Sequence, residues 1–219
     1  MSDLLVYGNV DKEGLKYLQS KNLFTSKFDL FSKFSYPNYE ETQKEINSII
    51  TAQSSLNSFS NSNASKQFML DADAGLEILF KKQLPKIGLK LTDKYIDQLF
   101  KITDDLGALV MQLKNHYQRP RPYQVAWYSK QDLHPFETQS GHSPAFPSGH
   151  SCQAHFLCLV IGKHNPNFDA KLKEFANEVA YSRITLGVHY PSDNECGKNI
   201  AYALFKMSDV QTYLDSIFV

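Results

Sequence analysis

Apolar residues recur along this chain at spacings of three and four, and nowhere do they alternate over a useful length. That period marks helices with one buried face. Phe68, Met69, Ala72, Leu76, Leu79 and Phe80 form one such stripe, predicting a helix over residues 66–84 that Pro85 and Gly88 end. Thr92 or Asp93 then caps a longer helix reaching about Gln118, with Ile96, Leu99, Phe100, Leu106, Leu109, Val110 and Leu113 along its buried face. Arg119-Pro120-Arg121-Pro122 stops it, because the residue before a proline is pushed out of the α region. Further helices are expected over 148–164, 169–186, from Pro191 or Ser192 to about 207, and over 208–217. At the third of these starts, either Ser192 and Glu195 make a capping box or Pro191 takes the first helical position.

Nearer the N-terminus the signal is weaker. Ile46, Ile49 and Ile50 stripe a helix over 38–52, and a short helix is expected over 12–19. The Ser- and Asn-dense stretch 54–65 reads as a loop or hinge, and the polar stretch 129–146 as a long surface loop. Only residues 1–10 have a pattern that a strand would accept. The fold class that follows is all-α, a compact helical bundle. Residues 1–65 are expected to be an aromatic-rich arm and helix packed on a helical core of 66–219, within a single domain.

Composition narrows the partners. The chain has 219 residues, 42% of them hydrophobic, with 23 basic and 23 acidic side chains, enough for one sizeable core. A balanced charge gives no reason to expect nucleic acid. Cys152, Cys158 and Cys196 are too few and too scattered for a disulfide framework, so they are expected to be reduced and packed. No Cys/His spacing suggests zinc, and no apolar run is long enough to span a bilayer. The N-terminus lacks the basic start and apolar core of a signal peptide, and the expected location is cytoplasmic.

Candidate chemistry gathers at three places. Lys114 lies in the last turn of its helix, and Arg121 follows on a stiff Arg-Pro-Arg-Pro segment, so both suit an oxyanion. Phe146-Pro147-Ser148-Gly149-His150 runs directly into a helix. Ser148 can cap it, Gly149 permits close backbone approach, and the free N–H groups of its first turn face an anion. His150 adds a group that titrates near neutrality. Finally, Arg183, His189 and Asp193 fall within eleven residues, and the four-residue step from His189 to Asp193 allows a carboxylate–imidazole bond. Each feature alone has an ordinary structural explanation: a solvated basic helix end, a plain helix cap, a His–Asp clamp. Together they supply cations, N–H donors, a nucleophile and a proton donor for an anionic tetrahedral group, without requiring a metal.

Lys114-x6-Arg121-Pro122, then Pro147-Ser148-Gly149-His150, then Ser182-Arg183-x5-His189-x3-Asp193 resembles the signature of the type 2 phosphatidic acid phosphatase superfamily. That superfamily includes bacterial non-specific acid phosphatases, membrane lipid phosphatases and vanadium haloperoxidases. The resemblance covers residues 114–193 and implies a helical bundle. It implies that His189 forms a phosphohistidine, Asp193 orients it, and His150 protonates the leaving oxygen. Lys114, Arg121, Ser148, Gly149 and Arg183 would hold the phosphate oxygens. The expected activity is metal-independent hydrolysis of small-molecule or lipid-headgroup phosphate monoesters with no cofactor, vanadate acting as an inhibitor. Two other readings are a vanadate-dependent haloperoxidase, for which His142 is a suggestive extra, and a non-catalytic phosphate binder. His116, His155 and His164 are expected to be structural or exposed.

Overall fold

A computed structural model describes residues 12–59, 63–138 and 141–218. The described residues form helices α1 (Lys12–Gln19), α2 (Phe28–Phe31), α3 (Tyr39–Phe59), α4 (Asn63–Ala74), α5 (Leu76–Gln83), α6 (Asp93–Tyr117), α7 (Pro122–Ser129), α8 (Gly149–His164), α9 (Asp169–Thr185), α10 (Pro191–Phe205) and α11 (Ser208–Ile217), with no strand among them. The protein is all-α. The residues considered for a strand, 1–10, lie outside the described residues.

Helix α8 is the axis of the bundle. Ser148 caps it, its Oγ accepting the Ser151 N–H at 3.3 Å. Cys152, Ala154, Phe156, Leu157, Val160 and Ile161 have no exposed surface, so the helix is apolar nearly all round, as a central helix must be. Helices α9 and α10 pack against it on two sides, and α6 on a third. The approach of α10 is close enough to require glycine: a Cβ on Gly197 would lie 2.5 Å from the Ser148 carbonyl oxygen and 3.0 Å from the Cys152 nitrogen. Aromatic residues before α3 close the bundle over α6 and α8. Phe24 is fully buried and meets Phe156 edge-on at 5.5 Å. Cys152, Cys158 and Cys196 are free thiols.

Helices α1, α6, α8, α9 and α11 fall within a residue or two of expectation. Three expectations fail, and one helix, α7, has no counterpart among them. The stretch 54–65 is mostly helical, since α3 continues to Phe59 and α4 begins at Asn63. Its serines do not break the helix because they bond back along it: Ser54 Oγ donates to Ile50 O and Ser55 Oγ to Thr51 O, both at 2.9 Å. The single helix expected over 66–84 is two, broken at Gly75, whose φ of 150° lies outside the helical region. Residues 122–129 form α7, which Pro122 starts and which buries Val125 and Ala126. The following loop leaves the surface at its end, where Ala145, Phe146 and Ser148 are buried and the Phe146–Pro147 peptide is cis. Of the two starts considered for α10, Pro191 is the first helical residue. Asp193 Oδ2, not Glu195, accepts the cap N–H of Tyr190, at 2.9 Å.

Candidate active site

Helix packing brings the three motif stretches to one end of α8. Ser148 N–H donates to Asp193 O at 3.0 Å, joining the turn into α8 to the start of α10. Ala145 N–H donates to Arg119 O at 2.8 Å, joining the same turn to the Arg-Pro-Arg-Pro segment. Lys114 ends its run along α6 buried, its Nζ donating to Pro144 O at 2.5 Å and to Ala145 O at 3.3 Å. Burial and the neighbouring Arg121 hold its ammonium well below the ordinary lysine range.

His189 lies at the centre. Nδ1 is 3.1 Å from Asp193 Oδ2, and Nε2 is 2.9 Å from an Arg121 Nη. A guanidinium only donates, so Nε2 carries the lone pair, and Nδ1–H donates to Asp193. Burial, Arg121, Lys114, Arg183 and His150 all push the His189 imidazole toward its neutral form. Arg121 is itself fixed: Nε donates to Ser143 O at 2.7 Å, an Nη donates to Val188 O at 2.6 Å, and its backbone N–H donates to Gln124 Oε1 at 2.7 Å. Val188 O and His189 thus receive the same guanidinium nitrogen, which aims the imidazole edge. Gly187, at φ 74°, makes the turn that brings them there.

His150 follows Ser148 and Gly149 in the first turn of α8, and its Nε2–H donates to Ala72 O at 3.0 Å. Its charged form is disfavoured by burial and by Arg183, and favoured by Asp73 and this carbonyl. Arg183, nearly fully buried on α9, is paired with Asp73 at 3.0 Å. Burial brings its guanidinium down to about 10, opposed by Asp73.

All eight motif residues therefore converge: Lys114, Arg121, Ser148, Gly149, His150, Arg183, His189 and Asp193. Three side chains around them were not singled out from sequence. Arg119 is 1% exposed and donates to Asp193 Oδ1 at 2.6 Å and to Glu45 Oε2 at 2.9 Å. Burial lifts the Asp193 carboxyl above the ordinary aspartate value, while Arg119 and the Tyr190 N–H pull it back. Asp73 belongs to α4 and Glu45 to α3, both remote from the motifs in sequence. Arg119 stands two residues before Arg121 on the same proline-stiffened segment, and both are buried. Among the remaining histidines, His155 is buried with Nδ1 on Ser151 O at 2.7 Å, His116 reaches Ser32 O at 3.2 Å, His164 meets Tyr95 Oη at 3.3 Å, and His142 is exposed on the loop.

The fold and the motif geometry define an all-α bundle with a cluster of buried cationic side chains at one end of its central helix. The PAP2 superfamily model matches residues 105–212, about half of the chain. The chain is 24% identical over 146 residues to a non-specific acid phosphatase of Salmonella typhimurium, covering 64% of this chain and 58% of that protein. It is 26% identical over 149 residues to the non-specific acid phosphatase of Providencia stuartii, again with 58% of that protein covered. It thus spans little more than half the length of these relatives. The crystal structure of the first bacterial vanadium-dependent iodoperoxidase superimposes with a TM-score of 0.60 at 17% identity, over 84% of this chain and 51% of that one, which is a likeness of fold. No helix among the described residues is long and apolar enough to cross a membrane.

Proposed function

We propose that this chain is a phosphatase that hydrolyses phosphate monoesters through a phosphohistidine on His189, with its own cations in place of metal ions. The observation that carries the reading is the His189 imidazole, whose Nε2 lone pair is directed into a cluster of buried cations by Asp193 on the far nitrogen. A buried cationic cluster of this kind is costly without a counter-anion, and a phosphate dianion supplies one. The acid phosphatase relatives point the same way.

In this reading Lys114, Arg121, Arg183, the Ser148 hydroxyl and the Gly149 N–H hold the non-bridging oxygens. His189 Nε2 attacks phosphorus. The P–O bond to the leaving group breaks with its electron pair, and the proton of the His150 imidazolium goes to that oxygen. His150, now neutral, takes a proton from water as the water oxygen attacks phosphorus. The P–N bond breaks, its electrons return to Nε2, and orthophosphate leaves. In the free protein His150 is biased toward neutrality by burial and Arg183. A bound dianion reverses that bias, so the acid is charged when the substrate is present.

The test is turnover of p-nitrophenyl phosphate in excess chelator between pH 5 and 7, with vanadate inhibiting as an analogue of the five-coordinate transition state. His189→Ala should lower kcat by about 10³-fold or more. Wild-type protein that is folded yet shows no turnover overturns the proposal. Oxidation of iodide on adding vanadate and peroxide, in place of ester hydrolysis, would assign the cluster to haloperoxidase chemistry.

A further inference from the structure

Behind His189 runs a continuous buried chain of charge that reaches into the N-terminal part of the protein. Arg119 lies between two carboxylates, Asp193 of α10 and Glu45 of α3. Its guanidinium carbon sits 3.8 Å from the Tyr190 ring centroid and 5.1 Å from that of Tyr36. Ser192 Oγ at 2.8 Å and Thr42 Oγ1 at 3.3 Å accept further N–H groups. Glu45 does more than neutralise Arg119. Its Oε1 accepts the Ser192 backbone N–H at 2.7 Å, one of the free donors at the start of α10, and its Oε2 accepts the Ser192 hydroxyl at 2.9 Å. Glu45 thus holds the very turn from which Asp193 projects.

We infer that Glu45 and Arg119 are positioning residues of this site: Arg119 locks the Asp193 carboxylate toward His189 Nδ1, and Glu45 balances the charge that Arg119 brings. Three features separate this from plain structural packing. An arginine with two carboxylates, two aromatic faces and two hydroxyls is far more constrained than burial of one side chain requires. One of its two carboxylates is the one bonded to the nucleophilic imidazole. The other comes from α3, outside the segment that the family model matches. The charged groups facing the Asp193–His189 pair are then Arg119 from the segment after α6, Lys114 on α6, Arg121 before α7, His150 on α8 and Arg183 on α9. Glu45 is the carboxylate that offsets one of them from behind.

The two substitutions act in opposite directions. Glu45→Gln keeps an acceptor for Ser192 N–H but removes the negative charge. Arg119 then acts on Asp193 uncompensated, and the Asp193–His189 pair takes up its proton at lower pH, by about half a unit or more at an effective dielectric of 20. Arg119→Met removes the positive charge, and the pair takes up its proton at higher pH. The readout is the titration of the His189 ring nitrogens by ¹⁵N NMR in the full chain, without substrate, alongside the acid limb of kcat/KM for p-nitrophenyl phosphate. We expect kcat to fall about tenfold in Glu45→Gln and about 100-fold in Arg119→Met, with KM within about threefold of wild type. Where Arg119→Met does not fold, Glu45→Gln decides alone. A folded Glu45→Gln whose imidazole titration and pH profile match wild type overturns the inference. The kinetic arm rests on the phosphatase reading and the imidazole titration does not, so a wild-type protein without turnover would sink that reading while leaving this one measurable.

Discussion

Helices α8, α9 and α10 and the turns before them carry His150, Arg183 and the His189–Asp193 pair within short sequence motifs, while α3 and α4 supply Glu45, Asp73 and the Ala72 carbonyl at positions no spacing relates. The first region provides the groups that would meet a phosphate. The second provides their partners. The break at Gly75 shows how. In an unbroken helix the Ala72 carbonyl would accept an N–H four residues on. Because α4 ends at Ala74, that carbonyl is among the terminal acceptors with no intrahelical donor, and His150 Nε2–H meets it at 3.0 Å. Asp73, next to it, reaches Arg183. One glycine therefore frees the acceptor that an imidazole of the other region meets.

The strongest way to break this division of labour is Asp73→Ala. Arg183 is 1% exposed and Asp73 10%, so removing the carboxylate takes a close counter-charge from a buried guanidinium. Loss of one partner from such a pair should cost about 3 kcal/mol of unfolding free energy, read from urea denaturation. Orthophosphate should recover part of that loss, because its oxygens give Arg183 another anion. A cost below about 0.5 kcal/mol would make α4 a passive cover.

That division also explains what the sequence could and could not disclose. The motif residues between 114 and 193 were legible as a group because local helix starts impose spacing: Ser148 caps α8, Pro191 opens α10, and Asp193 follows His189 by four residues across that start. The partners in α3 and α4 obey no such constraint. Glu45 and Asp73 look like any acidic residue on an amphipathic helix, and only tertiary packing turns them inward. The errors of fold have the same origin. The Gly75 break is hidden because Leu76, Leu79 and Phe80 continue the apolar stripe of α4 across it, and all three are buried. The serines after Ala52 look like loop formers until their hydroxyls are seen bonding back to the helix.

Gly197→Ala probes the opposite side, the packing of α10 on α8 that holds the first region together. The added methyl would meet two backbone atoms, Ser148 O at 2.5 Å and Cys152 N at 3.0 Å, and backbone cannot swing aside as a side chain does. A cost of about 2 kcal/mol is expected from such overpacking, lowering Tm by roughly 4–8 °C in a chain of this size. Because Ser148 N–H is bonded to Asp193 O across the same contact, phosphatase turnover should fall further than the stability loss alone explains. Turnover that tracks only the folded fraction would show that this contact is not what aligns the site.

The smallest expected effect is a slope of stability with pH. His150, His155 and His189 are all held below the ordinary imidazole value, chiefly by burial. Below about pH 6.5 the unfolded chain therefore binds protons that the folded protein refuses, and stability falls as pH falls. Each histidine contributes at most about 0.7 kcal/mol between pH 7 and pH 6. The three differ in what else depresses them. Arg183 and Lys114 act on His150, and Arg121, Lys114 and Arg183 on His189, whereas His155 has only Lys198 among its cations, a minor cause. Saturating orthophosphate offsets the first set of charges and leaves His155 untouched. The difference in unfolding free energy between pH 7 and pH 6 should accordingly shrink on adding orthophosphate, and His155→Gln should lower it further by the share of that one ring. A slope that orthophosphate does not change would mean that burial alone holds all three rings neutral, and that the cations of the motif region do not act on its histidines.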